Sequence, residues 1–134
     1  MRWATAALLA LAVLAAGCGG GSGSSGSGQV KAEDANAKSD ARVTVTALES
    51  CFVDTQAYAL CAAPGKLDAR GVKVVVGSSP AKGEVGVAGT ERGYVVTSKS
   101  QSGTDFQITK LSKGPPRRTC SKADAGGCGP EGTW

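Results

Sequence analysis

Hydrophobic and polar positions fall into distinct patterns along the chain. Residues Ala4–Ala16 are apolar except for Thr5, a run of 13. Residues Gly19–Gly28 are glycine and serine only. From Lys31 to Val53, the residues Ala37, Ala41, Val45, Leu48 and Phe52 recur at steps of three and four, which puts them on one stripe of a helix. Glu33, Asp34, Lys38, Asp40 and Arg42 fall mostly on the other side. Asp34 and Lys38 form an acid-to-base pair at i,i+4, and acids in the first turn suit the positive end of the helix dipole. The β-branched run Val43–Thr46 lowers helix propensity. The stripe continues through it, so the spacing predicts a helix over 31–53.

Asp54-Thr55 is a break, and Gln56–Cys61 has room for a single helical turn. After the Pro64-Gly65 turn the period changes to two. Val72–Val76, Glu84–Ala88, Tyr94–Lys99 and Asp105–Leu111 read as strands, and Arg117–Cys120 as a short edge strand. Short strands joined by Gly-containing turns predict an antiparallel meander. Such a sheet needs one face covered, and the long helix is the element that can cover it. The expected class is therefore α+β: one long N-terminal helix packed on a four-stranded antiparallel meander.

Composition sharpens this picture. Residues 29–134 have the length of one domain. They contain only five aromatic residues, Phe52, Tyr58, Tyr94, Phe106 and Trp134, against 12 valines, so a core built largely from valine is expected. So small an apolar endowment leaves little hydrophobic margin. Basic and acidic residues are interspersed, and the longest basic run is Arg117-Arg118. That pattern reads as a solvated surface rather than the basic stripe with interleaved aromatics of a nucleic-acid binder.

Four cysteines lie in this domain: Cys51, Cys61, Cys120 and Cys128. They allow three pairings. The local pairs Cys51–Cys61 and Cys120–Cys128 are favoured, because each closes a short loop containing turn-forming residues. In the chain-entropy account each closure stabilises by roughly 2–3 kcal/mol. A zinc site is not expected, since the chain has no CxxC spacing and no histidine.

The N-terminal pattern predicts an export signal. Arg2 supplies a positive start, Ala4–Ala16 an apolar core, and Ala15-Ala16-Gly17 the small residues before a cut. As a helix the apolar run would span roughly 20 Å, short of a hydrocarbon core of about 30 Å. The cysteine that follows resembles that of the bacterial lipobox, which implies diacylglycerol on the Cys18 thiol. The expected organisation is a signal at 1–17, a lipidated Cys18 with a flexible Gly/Ser tether at 18–28, and a globular domain at 29–134. Ten Gly/Ser residues have an r.m.s. reach of roughly 16–19 Å. The expected location is extracytoplasmic, at the membrane surface.

The segment DANAKSDARVTVTALESCFVDTQAYALC (Asp34–Cys61), followed by VVTSKSQSGTDFQITK, RRTC and GGCGPEGTW, resembles the head domain of type IV pilins, particularly those of Gram-positive bacteria. The resemblance implies a helix laid across a four-stranded antiparallel sheet with disulfides bracing the loops. The chain departs from that family at its start. It has no prepilin peptidase site, no glutamate before Glu33, and no continuous apolar half-helix to bury in a filament axis. The simplest reading is a pilin-like head carried on a lipid anchor.

No catalytic constellation stands out. The absence of histidine removes the usual general base and triad partner. Ser78-Ser79-Pro80 lacks a Gly-x-Ser-x-Gly setting, and the Gly-rich tracts lack the Lys-Ser/Thr of a phosphate loop. The expectation is a non-enzymatic surface lipoprotein without cofactor, metal or nucleic acid. It would work by protein–protein contact through an exposed sheet edge or the Cys120–Cys128 loop, with pilus, secretion or envelope machinery as partner. The alternative is a small ligand-binding or enzyme-inhibitor lipoprotein, which a deep apolar pocket beneath the sheet would favour.

Overall fold

The computed structural model describes residues 25–134. The expected signal, Cys18 and the tether up to residue 24 lie outside the described residues.

Helix α1 spans Ser25–Thr55 and the single turn α2 spans Tyr58–Cys61. Five strands follow: β1 Val74–Val76, β2 Val85–Gly89, β3 Tyr94–Lys99, β4 Asp105–Lys110 and β5 Arg117–Cys120. They form one sheet in the order β1-β2-β3-β4-β5. The class is α+β with one long helix, as the periodicity predicts. The sheet departs from the expected four-stranded antiparallel meander. It has five strands and is mixed, because β1 pairs parallel with β2 through Val74↔Val85 and Val76↔Val87, while β2 to β5 are antiparallel neighbours.

Chain length explains how a short connection makes a parallel pair. A three-residue strand is only about 10 Å long, so residues 77–84 can return the chain to its starting end within their reach of roughly 26 Å. The Gly77 N–H donates to Val87 O at 2.8 Å and the Val85 N–H to Lys73 O at 2.9 Å. Lys73 also pairs with Glu84 at 2.5 Å, across the two ends of the return. The returning loop packs over β2 so closely that a Cβ on Gly86 would run into the Gly77 carbonyl and the buried Pro80 ring.

Helix α1 begins six residues before the expected Lys31 and ends two after Val53. Ser25–Gly28, expected in the flexible tether, are therefore helical. Once the packed part of a helix has formed, each further residue adds a backbone hydrogen bond without a new nucleation cost. Residues 26–32 are all exposed. At the other end, Gln56 takes a left-handed conformation, φ 57°, that closes the helix. Its N–H donates to Phe52 O at 2.8 Å. Its side-chain amide donates to Phe52 O at 3.2 Å and Val53 O at 2.9 Å.

The predicted helix stripe faces the sheet: Ala37, Ala41 and Leu48 are buried, Val45 and Phe52 half-buried. The sheet meets it with Val85 and Val87 of β2, Tyr94 and Val96 of β3, and Phe106 and Ile108 of β4. The core is less valine-based than composition suggests. Among the described residues only Val85, Val87 and Val96 are buried valines, and the largest fully buried side chains are Tyr58, Tyr94, Phe106 and Leu48. Two disulfides join Cys51 to Cys61 and Cys120 to Cys128, with Cα separations of 5.9 and 6.4 Å. The first ties the end of α1 to α2, and the second ties β5 to the loop that follows it.

Candidate functional site

Helix α1 packs on β2, β3 and β4. Strand β5 lies at the edge beyond them, so the helix-facing side of Arg118 opens onto a gap rather than onto the core. Trp134 occupies part of that gap. Its indole N–H donates to Thr119 O at 3.0 Å, and its ring meets Phe106 edge-on at 5.9 Å. The chain before it pairs with β5 through the Thr119↔Thr133 bridge and the Cys120 N–H to Gly132 O bond of 2.7 Å.

Two cations converge on the indole. The Arg42 guanidinium, from α1, lies 4.9 Å from the ring centroid, and that of Arg118, from β5, lies 5.4 Å from it. Stacking on Trp orders a guanidinium while leaving its in-plane N–H groups available. Between helix and strand runs an open groove of about 800 Å³. Val45 and Ile108 form its apolar lining, and Thr46, Pro116 and Arg117 stand at its sides. No Asp or Glu side chain lines it. Among the described residues the ion pairs all use lysine: Lys73–Glu84, Lys99–Asp105 and Lys110–Glu49.

The loop that delivers Trp134 is held from α1. Asp34 and Lys38, expected to pair with each other on the helix's open side, face inward and sideways instead. Asp34 is 1% exposed and accepts the Ser102 hydroxyl at 2.6 Å, which ties it to the β3–β4 turn. The Lys38 ammonium donates to Gly126 O at 2.6 Å. Gly126 sits at φ 60° directly on the Asp34 carboxylate, where a Cβ would collide.

A second polar cluster locks helix to sheet. Glu49 of α1 accepts the Tyr58 hydroxyl at 2.7 Å and the Tyr94 hydroxyl at 3.1 Å, with the Lys110 ammonium 3.8 Å away. Tyr58 stacks on Phe52 at 4.2 Å and meets Tyr94 edge-on at 4.9 Å. Burial, with the Glu49 hydrogen bond and charge added, pushes the Tyr58 hydroxyl up to about 12. The Tyr94 hydroxyl is held further above its usual value, first by burial and then by Glu49. Both phenols are thus kept as hydrogen-bond donors, a structural role rather than an acid–base one.

Comparison with family models, with curated proteins and with solved structures gives no match. Among the described residues no cluster of side chains could hold a metal, and no helix is long and apolar enough to cross a membrane.

Of the site residues named from sequence, Cys18 lies outside the described residues. Cys51 and Cys61 stand at the α1–α2 end, while Cys120 and Cys128 brace the groove by holding the segment that carries Trp134. Of the two sheet edges, the one at β5 is partly covered by Gly132 and Thr133. The meeting of Arg42, Arg118 and Trp134 was not legible. Arg117-Arg118 stood out only as a basic pair and Trp134 only as a rare aromatic, and no spacing rule links helix, strand and residue 134.

Proposed function

We propose that this chain is a non-enzymatic surface lipoprotein, lipidated at Cys18, that displays a pilin-like head for protein–protein contact. Its contact site is the groove between α1 and β5. The observation that carries the reading is the Trp134 ring with Arg42 and Arg118 upon it beside an apolar lining. Trp and Arg are the residues that most often dominate interface energetics, above all where apolar neighbours exclude water. The pilin-like part of the proposal is supported by the helix-on-sheet arrangement, by the exposed residues 26–32 that carry α1 beyond the sheet, and by the two loop-bracing disulfides. Pilus, secretion or envelope components are the partners this reading favours.

Photo-cross-linking from the groove tests it. A cross-linking residue at Thr46, on intact cells carrying the full chain, should capture one defined envelope, pilus or secretion protein. The same residue at Val53, which is 72% exposed near the end of α1, should not. Identical capture from both positions, or none from Thr46, would overturn the contact reading. Capture of a single soluble enzyme would favour an inhibitor role instead.

A further inference from the structure

We infer that the α1–β5 groove receives an acidic protein segment, in which an aliphatic or aromatic side chain is flanked by carboxylates. The inference rests on the contact reading above and adds the chemistry of the partner. Arg42 and Arg118 bring two guanidiniums to the groove from helix and strand, and no acidic side chain lines it. Among the described residues neither of these arginines takes part in an ion pair. The groove therefore concentrates positive charge without an internal counter-charge, and an anionic partner is its electrostatic complement.

The geometry selects among anions. Contact with the indole restricts Arg42 and Arg118 before a partner arrives, with the guanidinium carbons 4.9 and 5.4 Å from its centroid, and the guanidinium N–H fork matches the two oxygens of a carboxylate. Prior ordering lowers the entropy lost when a partner binds. The Trp134 ring is engaged by these cations and by Phe106, which leaves it poorly placed to stack on a sugar. The apolar lining at Val45 and Ile108 asks for an apolar anchor, which a polyphosphate lacks. A flat bilayer does not follow a concavity recessed between a helix and a strand. An extended peptide with one apolar side chain between acids satisfies both the cations and the lining.

The test uses the full chain in uncharged detergent and a fluorescein-labelled peptide, Glu-Asp-Leu-Glu-Asp, read by fluorescence anisotropy. Saturable binding should weaken with added salt. It should fall by at least tenfold in the Arg42→Glu/Arg118→Glu protein, the loss of about 1.4 kcal/mol or more of pairing. It should also fall in Arg42→Lys/Arg118→Lys, which keeps the charge and loses the planar fork. Arg92→Glu, outside the groove, should bind as the parent does. The Trp134 indole N–H resonance and both disulfides report that each variant is folded, and the lysine pair decides if the glutamates disturb folding. Equal binding by parent and lysine variant overturns the carboxylate-fork argument. Equal affinity for the peptide with Ser in place of Leu overturns the apolar-anchor argument. Binding of phosphatidylglycerol vesicles or polyphosphate through Arg42 and Arg118, with no binding of the peptide, overturns the proposal in favour of a lipid or polyanion. Cross-links from Thr46 that survive Arg42→Glu/Arg118→Glu leave the contact reading standing and overturn the acidic partner alone.

Discussion

At the scale of single residues, burial and hydrogen bonding decide roles that side-chain type leaves open. Glu49 is one acid on the helix, yet it holds two tyrosines. Glu49→Gln removes the charge from this cluster and should cost about 1–3 kcal/mol. The Tyr58 hydroxyl should then titrate lower than about 12, yet above 10.0, because burial is the larger cause of its shift. Phenolate absorbance checks this, and an unchanged titration would refute the role given to Glu49. The sign of the parent's alkaline behaviour follows. Below pH 10 the tyrosine is protonated in both folded and unfolded chains; between pH 10 and about 12 the unfolded chain releases the proton while the folded one retains it, so stability falls as pH rises through that window. Gly126 gives a second residue-scale prediction. Gly126→Ala places a side chain at φ 60° and against the Asp34 carboxylate. The left-handed conformation alone costs about 1–2 kcal/mol, and the collision adds to it. Thermal unfolding should show Tm lowered by on the order of 10 °C, and an unchanged Tm would show that the loop gives way freely.

Among the elements, the stripe of α1 and the period-two strands were legible because each lies within a short window of sequence. The parallel placement of β1 was not, since nothing local distinguishes a tight hairpin from a short return past a three-residue strand. The Lys73–Glu84 pair marks that return. The hydrogen bond from Lys73, and then the Ala81 N–H, hold the Glu84 carboxyl below its usual 4.5. A lowered folded value means that the contribution is present above pH 4.5 and is lost as pH falls through the folded value. Acid should therefore loosen the β1–β2 return ahead of the β2–β4 hairpins. Amide exchange at Gly77 and Val85, whose N–H groups close the parallel pair, is the measurement, and Glu84→Gln should remove the acid dependence there. The two disulfides make a matched comparison. Replacing either pair by serines should cost roughly 2–3 kcal/mol. Loss of Cys120–Cys128 should shift the Trp134 indole resonance, whereas loss of Cys51–Cys61 should leave it in place, because only the former holds the loop leading to the groove. Equal shifts from both would contradict that division.

For the whole molecule, the proposal joins a tethered N-terminus to a head whose groove presents cations. Cys18→Ala should release the domain from membranes or leave its precursor uncut, as fractionation and mass measurement would show; unchanged retention with normal processing would remove lipidation from the proposal. By itself the sequence determined what is local: the helix stripe through Ala37, Ala41 and Leu48, the strands with their Gly-containing turns, and the preference for short disulfide loops. These follow from side-chain period and loop closure, which act over a few residues. The tertiary structure decided what depends on register between distant segments. It paired β1 parallel to β2, filled the core with Tyr58 and Tyr94 beside only three buried valines, and turned Asp34 and Lys38 toward the 102 and 126 loops. It also brought Arg42, Arg118 and Trp134 to one groove. The reason is geometric: a helix that crosses β2 to β4 leaves the edge strand's inner side open, and whatever the chain places there becomes accessible surface.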